Sequence, residues 1–324
     1  MDNGRVDETV AQEKIRTLRR LLSRNAPLLI AYSGGVDSTF LLAEATGTLG
    51  KRALGIIADS PSLPRSSLAS AMTTAKGFGA NVEVIATTEL NDPRYSSNPV
   101  NRCYFCKLEL FTRMEQVAAE RGFAALAYGE NADDVFQLRP GADAAREFRV
   151  LAPLRIAGLT KAEIRLLSRH HSLPTADIPA QPCLSSRIPH GTVVTSDALA
   201  MIEHAEEYVR SRGFRVFRVR YLVRPGEQPV AKLQIAPDEM KKLPSLERDI
   251  QEALRAIGFR DLIVDPDGYQ APRRSRELEH SRTQEATISR ELPNLTMSFR
   301  RVAGSWLFGV NRIDSHRFLE SLSS

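Results

Sequence analysis

The chain of 324 residues has few cysteines and few aromatic residues, with three cysteines, one tryptophan and an aromatic content of 6%. Three cysteines are too few, and odd in number, for a disulfide scaffold. No apolar run approaches the length that spans a bilayer, which predicts that the chain has no transmembrane helix. The first segment, MDNGRVDETVAQEKIR, is charged and lacks the apolar core of a signal sequence. We therefore expect a cytoplasmic protein with no membrane partner.

A strong charge of either sign is also absent. The 44 basic and 39 acidic residues leave a net charge of +5, which suits a small anionic substrate as well as it suits RNA. The hydrophobic content of 42% and the charged content of 26% are ordinary for a globular protein. A chain of this length predicts two domains, with room for an appendage.

The lysine of the ordinary phosphate-binding loop is missing as well. That loop needs Gly-x-x-x-x-Gly-Lys-Ser/Thr, whereas here an apolar run at 28–32 leads into SGGVDS at 33–38 and a helix-like run at 39–45. Glycines let backbone N–H groups approach a phosphate, and a helix N-terminus adds partial positive charge. The segment predicts a pyrophosphate cradle of another type. The alternative is a plain turn between strand and helix.

Strand-like and helix-like segments alternate through the first half of the chain. Strands are predicted at 53–58, 82–86 and 124–128, and helices at 10–22, 65–78, 107–121 and 160–171. This alternation predicts an α/β fold, a parallel sheet with helices on both faces. Ligands of such folds bind beyond the carboxyl ends of the strands.

Three segments follow predicted strands and are expected to converge on one nucleotide. They are SGGVDS, Asp59 with Ser60, and GENADD at 129–134. The alternative for Asp133 and Asp134 is that they only cap a helix. Lys161 and Glu163, in the helix start TKAE, are interpreted as capping and solvated surface positions.

A second, smaller α+β domain is predicted from Pro189 onward. It contains helices at 196–212 and 245–257 and strands at 214–223, 230–235 and 259–264. The predicted domains are therefore 1–188 for nucleotide binding, 189–270 for substrate binding or oligomerisation, and 271–324 for a linker and a C-terminal extension of unknown role. Alternation along a strand puts Arg218 and Arg220 on one face, which is either an anion site or the solvated face of a sheet.

The cysteines favour a metal or redox site. Cys103 and Cys106 form a C-x-x-C pattern, and Cys183 lies in a proline-rich passage at 173–183, whose stiff backbone suits a loop that holds one side chain in place. The residues leave several chemistries open. Zinc completed by a histidine and a regenerating dithiol are two of them. The histidines available for zinc are His170, His171 and His190.

Taken together, six motifs closely resemble the LarE family of ATP-dependent sulfur transferases, which belongs to the PP-loop superfamily. They are SGGVDS at 33–38, RCYFCK at 102–107, GENADD at 129–134, RPG at 139–141, PCLSSRIPHG at 182–191 and DGY at 267–269. The resemblance covers residues 10 to 270 and implies a PP-loop ATP pyrophosphatase domain. It also implies that the carboxylates of pyridinium-3,5-dicarboxylate mononucleotide are adenylated and converted to thiocarboxylates, in the biosynthesis of the nickel-pincer nucleotide.

The same resemblance implies roles for individual residues. The residues implied to bind ATP are Ser33, Gly34, Gly35, Asp37, Ser38, Asp59, Gly129, Asn131 and Asp134. Asp37 would support Mg²⁺ or orient the phosphates, Cys183 would present sulfur, and Arg187 would offer a planar fork to a phosphate or carboxylate. The residues implied to bind the substrate are Ser186, Arg187, Arg218, Arg220 and either Glu206 or Glu207.

The family divides on the source of the sulfur. One branch keeps only the cysteine that matches Cys183 and sacrifices its sulfur, which leaves dehydroalanine. The other branch has three cysteines, matching Cys103, Cys106 and Cys183, and is thought to hold a [4Fe-4S] cluster whose open iron binds sulfide. Because the cysteines of this chain are the three that this scheme needs, we favour the cluster branch. Sulfide or a cysteine desulfurase would supply the sulfur, and a homo-oligomer is expected.

Other functions remain as alternatives. A tRNA-thiolating PP-loop enzyme shares the adenylation step but should carry a strongly basic RNA-binding domain, so the modest net charge disfavours a nucleic-acid partner. An amide-forming ligase of the NAD synthetase type needs an ammonia source and no cysteine trio. A non-catalytic iron–sulfur sensor would bind ATP without releasing pyrophosphate.

Overall fold

The computed structural model describes residues 8–136, 140–179, 181–269, 298–302 and 305–309. The described residues up to 269 belong to one compact unit, and the short strands beyond 297 belong to another. The helices are α1 Glu8–Arg24, α2 Val36–Leu49, α3 Arg65–Gly77, α4 Pro93–Ser96, α5 Arg102–Arg121, α6 Pro140–Glu147, α7 Pro153–Ile156, α8 Lys161–His170, α9 Ser196–Ser211 and α10 Glu247–Ile257. The strands are β1 Leu28–Ala31, β2 Ala53–Asp59, β3 Val82–Ala86, β4 Ala125–Tyr128, β5 Phe217–Leu222, β6 Val230–Ile235, β7 Asp261–Val264, β8 Ser298–Val302 and β9 Ser305–Gly309.

The first sheet is parallel, with the strand order β3-β2-β1-β4. Successive residues of its inner strand β1 face opposite layers, as the two-residue period of a strand requires. Leu28 and Ile30 pack with α1, α2 and α8, whereas Leu29 packs with α5 and α6. Each of these buried side chains contributes about 1.5–3 kcal/mol of hydrophobic stabilisation. The predicted α/β fold, a parallel sheet between two helical layers, is confirmed.

The second, smaller sheet has the order β5-β6-β7. Strand β5 pairs antiparallel with β6, and β7 pairs parallel with it. Val219 and Leu233 lie on the face covered by α9 and α10, where they join a buried apolar cluster. Because neighbouring residues of a strand point to opposite faces, Arg218 and Arg220 lie on the other face. The predicted boundary between 188 and 189 remains a prediction.

Helix α5 begins earlier than predicted. The sequence analysis started it at Lys107, but it begins at Arg102, immediately after Asn101. Cys103 and Cys106 therefore lie within the helix itself. Residues three apart are neighbours on one helix face, so the C-x-x-C pattern puts both thiols on the same side near the positive end of the helix dipole.

Strand β5 begins later than predicted, at Phe217 instead of 214. The carboxylate of Glu239 accepts hydrogen bonds from the backbone N–H groups of Arg215 and Val216, at 2.9 and 3.0 Å. These side-chain contacts lie just before the strand and bind amides that a longer strand would use. A carboxylate distant in sequence thus sets where the strand begins.

Strands β8 and β9 of the C-terminal extension pair antiparallel, with Ser298 opposite Gly309 and Val302 opposite Ser305. The predicted linker at 271 and beyond lies outside the described residues. Among the described helices, none has the length and apolar character that crossing a membrane requires.

Candidate active site

The turn between β1 and α2 is built on a glycine that no other residue replaces without strain. Gly34 has a φ of +73°, and a Cβ added there would lie 2.8 Å from the Cβ of Ala71. The hydroxyl oxygens of Ser33 and Ser38 are 3.1 Å apart, and the Ser38 hydroxyl donates to the Gly35 carbonyl at 3.1 Å. The turn is thus held closed around backbone N–H groups at the start of α2, the arrangement that binds phosphate groups.

The end of strand β4 comes very close to the same helix start. A Cβ added to Gly129 would lie 2.8 Å from the backbone nitrogen of Ser38. A cavity of about 250 Å³ opens beside this contact, at the carboxyl ends of β1, β2 and β4 where ligands of such sheets bind. Its polar lining includes Ser33, Gly35, Asp37, Ser38, Lys107 and Gly129.

Asp37 combines a paired oxygen with an unpaired one. Its Oδ2 lies 2.5 Å from Nζ of Lys161, whereas its Oδ1 is buried and has no hydrogen-bond partner among the described residues. A buried carboxylate oxygen without a partner normally carries a penalty. Because Mg²⁺ prefers such oxygens, Asp37 fits the predicted support of a magnesium ion. The interpretation of Lys161 and Glu163 as solvated surface is corrected, because the ammonium group of Lys161 reaches this carboxylate and Glu163 is buried. The predicted capping by Glu163 is confirmed, since Glu163 and Thr160 form a capping box.

The other predicted nucleotide residues organise the turns next to the cavity, and its lining does not include them. Asp59 forms a 2.6 Å ion pair with Arg65. Asn131 accepts the N–H of Asp133 at 2.9 Å, and Asp134 accepts the N–H of Asn131 at 3.2 Å. Asn131 and Asp134 thus act on the local backbone. Of the two residues in the capping alternative, Asp133 accepts the backbone N–H of Lys161 at the start of α8, at 2.9 Å.

Cys183 lies at the edge of the same region. It precedes a short 3₁₀ turn, Leu184–Arg187, and the N–H of Leu184 donates to the carbonyl of Ser62 at 2.9 Å. Leu63, the residue after Ser62, lines the cavity. The loop that carries Cys183 is therefore hydrogen-bonded to the loop that borders the cavity, although the two are about 120 residues apart in sequence.

The three cysteines are free thiols, and Cys183 acts electrostatically on both Cys103 and Cys106. Burial and the neighbouring Cys183 raise the pKa of Cys103. Burial raises the pKa of Cys106, and the Glu89 carboxylate and Cys183 raise it further. The fold thus brings together three cysteines whose proximity the sequence alone does not show.

The arrangement of the thiols bears on which metal group they could hold. Among the described residues, no three histidine, cysteine or acidic side chains converge closely enough to bind one metal ion. A zinc ion needs such convergence. A [4Fe-4S] cluster needs a wider spacing, because each thiolate binds a different iron atom. Three neighbouring thiols on two separate segments fit a cluster in their chemistry and number.

The loop after Cys183 is fixed by a buried ion pair. Arg187 and Glu206 make two hydrogen bonds of 2.9 Å each, and Arg187 also donates to the carbonyl of Cys183 at 3.0 Å. Glu207, the alternative acidic residue, is exposed. Of the two candidates, only Glu206 contacts the cysteine loop.

Two further arginines, Arg218 and Arg220, lie close to Arg187, and these three residues are called the arginine region. Arg220 donates to the carbonyl of Ser186 at 2.9 Å and to Gln234 at 2.8 Å, and the guanidinium of Arg218 lies 4.9 Å from the ring centre of Tyr269. Burial lowers the pKa of both arginines, and the nearby positive charge of Arg187 lowers it further. Within the described part of the chain, neither arginine forms an ion pair with a carboxylate. Uncompensated positive charge at this place favours an anionic ligand.

The chain is similar to several known proteins over most of its length. No protein-family model matches it. It is 37% identical over 270 residues to an uncharacterised protein from Synechocystis, a match that covers 82% of the chain and 98% of that protein. It is 29% identical over 282 residues to the pyridinium-3,5-bisthiocarboxylic acid mononucleotide synthase of Lactiplantibacillus plantarum, covering 87% of the chain and 99% of that enzyme. The chain belongs to the LarE-like family.

Another relative of this LarE-like chain is an uncharacterised protein from Methanocaldococcus jannaschii. The two are 27% identical over 251 residues, which covers 76% of the chain and 92% of that protein. The family resemblance predicted from the six motifs is confirmed, whereas the three-cysteine branch remains a prediction.

The LarE-like site contains residues that the sequence analysis missed. Lys107 lines the cavity at the carboxyl ends of β1, β2 and β4, and its ammonium group lies 4.7 Å from the ring centre of Tyr128. Gly141 makes room for it, because a Cβ there would lie 2.7 Å from Cδ of Lys107. Lys107 lies four residues after Cys103, a helical spacing that would have been the signal if α5 had been predicted to begin at Arg102.

Glu89 and Tyr95 were missed as well. The Tyr95 hydroxyl lies 2.8 Å from the Ser185 hydroxyl, and burial together with Cys183 raises the pKa of Tyr95. Glu89 accepts a 3.3 Å hydrogen bond from Ser62, and its second oxygen has no partner among the described residues. Nothing in their local sequence marks them, because only tertiary packing brings them to the thiols.

Proposed function

We propose that this chain is an ATP-dependent sulfur transferase that adenylates the carboxylates of pyridinium-3,5-dicarboxylate mononucleotide and converts them to thiocarboxylates. The family membership and the name of the L. plantarum relative support this substrate and product. Pyrophosphate and AMP would be the other products. The nickel-pincer nucleotide would be the cofactor to which the product contributes.

One observation carries the proposal: the loop of Cys183 joins the nucleotide cavity to the arginine region. Leu184 is bonded to Ser62 beside the cavity, whereas the carbonyls of Cys183 and Ser186 accept hydrogen bonds from Arg187 and Arg220. A sulfur held between an ATP site and an anion site is what transfer to an activated carboxylate requires.

The first step is adenylation. A substrate carboxylate oxygen attacks the α phosphorus of ATP, the bond from that phosphorus to the bridging oxygen breaks, and pyrophosphate leaves. The Gly34–Gly35 turn and the hydroxyls of Ser33 and Ser38 would hold the pyrophosphate, since donors aimed at developing charge stabilise the transition state. Asp37 would hold Mg²⁺, which when bound supplies neutralising positive charge.

The substrate is held by the arginine region. Its phosphate and its second carboxylate are anions, and Arg218 and Arg220 are half-buried cations without carboxylate partners in the described chain. The planar guanidinium forks suit both kinds of oxygen anion. The Ser186 hydroxyl donates to the carbonyl of Cys183 at 2.7 Å, so the predicted substrate role of Ser186 includes shaping the loop.

Sulfur transfer follows by one of two routes. In the sacrificial route, Cys183 Sγ attacks the acyl carbon, AMP leaves, and loss of the Cα proton breaks the Cβ–Sγ bond to yield a thiocarboxylate and dehydroalanine. In the favoured route, Cys103, Cys106 and Cys183 would hold a [4Fe-4S] cluster. The cluster would supply sulfide that displaces AMP from the acyl carbon, and the cysteine would stay intact. Free sulfide or a cysteine desulfurase would replace the sulfide that the cluster transfers. The homo-oligomer remains a prediction.

The test uses the whole protein, purified without oxygen, with ATP, Mg²⁺ and the pyridinium dicarboxylate. Pyrophosphate release is measured, and both the substrate and the protein are analysed by mass spectrometry. Thiolated substrate with intact protein supports the cluster route, whereas protein that has lost the elements of H₂S supports the sacrificial route. Cys183→Ala should still release pyrophosphate but form no thiocarboxylate. The proposal fails if wild-type protein activates no carboxylate, or if it thiolates only tRNA.

A further inference from the structure

Arg102 is a buried cation at the first position of helix α5. It is 5% exposed, and its Nη1 donates to the carbonyl of Ser185 at 3.1 Å and to Oδ1 of Asn98. Arg102 directly precedes Cys103, and Ser185 is two residues beyond Cys183. One guanidinium therefore connects the helix that carries two thiols with the loop that carries the third.

Asn98 holds the far end of the same loop. It is fully buried, and its Nδ2 donates to the carbonyl of Pro189 at 2.8 Å and to that of Ile188 at 3.3 Å. Its own carbonyl accepts the N–H of Gly191 at 3.0 Å. Asn98 has a φ of +59°, a left-handed conformation that is uncommon for a residue with a side chain. The surrounding contacts maintain this conformation.

The acceptors of Arg102 are unusual for a buried arginine. Buried arginines are normally paired with carboxylates, but no ion pair of Arg102 occurs among the described residues. Its acceptors are an amide and a backbone carbonyl. A guanidinium that binds loop carbonyls holds the backbone in place, which is a positioning role rather than the neutralisation of a nearby acid.

The cysteine loop depends on such contacts for its position. The described residues of its proline-rich approach, 173–179 and 181–183, form no helix or strand. The short turn Leu184–Arg187 cannot hold Cys183 beside another segment by itself. The distant contacts of the loop come from Ser62, Arg220 and Glu206, which face the nucleotide and substrate regions, and from Arg102, Asn98 and Tyr95 on the side of the C-x-x-C helix.

We propose that Arg102 and Asn98 form a latch, meaning these two side chains with the carbonyls of Ser185 and Pro189, that holds Cys183 beside Cys103 and Cys106. They are positioning residues and contact no reacting atom. The purpose of the latch, the joint use of three sulfur atoms, rests on the proposed function. The latch itself requires neither ATP nor substrate.

The test measures thiol proximity in full-length, metal-free, reduced protein. A bis-methanethiosulfonate with an ethylene spacer joins neighbouring thiols, and peptide mapping identifies each pair. In a Cys103→Ser background the reagent should join Cys106 to Cys183. In a Cys183→Ser background it should join Cys103 to Cys106, which lie on one helix and serve as the internal control.

Arg102→Met should slow the crosslink between Cys106 and Cys183 roughly tenfold, since hydrogen bonds to a charged group are lost. The crosslink between Cys103 and Cys106 should keep its rate. Arg102→Lys should recover part of the rate, because an ammonium group still donates to the Ser185 carbonyl. Arg113 is a half-exposed residue of the same helix that pairs with Glu109, and Arg113→Met should change neither rate.

Asn98→Gly provides a second variant, because glycine keeps the left-handed conformation while the amide is removed. It should slow the same crosslink, and the double variant should be no slower than Arg102→Met, as expected for residues of one network. An unchanged rate for Cys106 and Cys183 in Arg102→Met overturns the latch. If Arg102→Met does not fold, an unchanged rate in Asn98→Gly overturns it. If the wild-type protein transfers no sulfur but Arg102→Met still slows the crosslink between Cys106 and Cys183, only the proposed function is disproved and the latch stands.

Discussion

Arg187 and Glu206 form a buried bidentate ion pair that joins the cysteine loop to helix α9. Nε lies 2.9 Å from Oε1 and Nη2 lies 2.9 Å from Oε2, and the two side chains are 4% and 5% exposed. The third guanidinium nitrogen donates to the carbonyls of Pro182 and Cys183, at 2.6 and 3.0 Å. The position of the proposed sulfur donor is therefore tied to a charge pair in a low-dielectric setting.

Glu206→Gln should lower the free energy of unfolding by about 3 kcal/mol, because the charge of Arg187 stays buried without its partner. Urea denaturation at neutral pH measures this. The double variant Arg187→Met/Glu206→Leu should regain most of the stability, since apolar replacement of a buried pair is often neutral, but should not regain thiolation. If it regains both, the pair serves the fold alone.

Asp37→Asn should reduce the rate of pyrophosphate release about 100-fold, the scale on which electrostatic stabilisation of a transition state is lost. An amide cannot supply the second carboxylate oxygen that is buried without a partner. The measurement is pyrophosphate release as a function of Mg²⁺ concentration. Asp238→Asn, an exposed position, is the control and should behave as wild type. An unchanged Mg²⁺ dependence in Asp37→Asn would contradict the assigned role.

Gly129→Ala should weaken ATP binding and destabilise the chain by about 1–3 kcal/mol, the usual effect of overpacking. The added methyl group would lie 2.8 Å from the backbone nitrogen of Ser38, where no flexible side chain can yield. Gly47→Ala in helix α2 is the matched control, because nothing lies within 4 Å of its added Cβ. It should leave ATP binding unchanged. Calorimetric titration with ATP and thermal unfolding measure the two effects.

The acid stability of the chain should depend on Glu239. Burial by itself would raise the pKa of this carboxyl, but hydrogen bonds from Val216, Arg215 and Lys242 outweigh it and lower the pKa from 4.5 to about 2. The folded state therefore binds this proton less readily than the unfolded state. The stabilisation is present above pH 4.5 and is lost as the pH falls towards 2.

Glu239→Gln removes the titrating group from this position. The difference in unfolding free energy between wild type and the variant should be largest above pH 4.5 and should shrink as the pH falls. Urea denaturation at pH 6 and pH 3.5 measures it. A difference that does not change with pH would show that Glu239 acts only through the shape of its hydrogen bonds.

Some secondary-structure elements could be predicted from the sequence, and others could not. The apolar run before SGGVDS predicted β1 and the helix after it, because the period of apolar residues is a local property. The same reasoning missed the true start of α5 and the late start of β5. Asn101 lacks a side-chain capping bond, and the amides before β5 are bound by Glu239, a residue far along the chain.

The residues of the candidate site likewise divide into those that the sequence predicted and those that it did not. Asp37, Ser38 and Gly129 were predicted because glycine turns and strand ends are marked in the sequence itself. Lys107 and Lys161 were not, because a lysine has the same local signature whether it faces water or a cavity. The choice between Glu206 and Glu207 also depends on which of two adjacent helical positions faces Arg187, and a single position turns a side chain by about 100°.

By itself, the amino-acid order determined the α/β class, the glycine turn, the number of thiols and the family resemblance, since each of these follows from local pattern and residue type. Only the tertiary structure decided that Cys183 reaches the C-x-x-C helix and the edge of the cavity beside SGGVDS, and that Arg102 and Asn98 hold it there. The reason is that these contacts join segments some 80 to 120 residues apart, and their geometry is set by the packing of the sheet and helices between them.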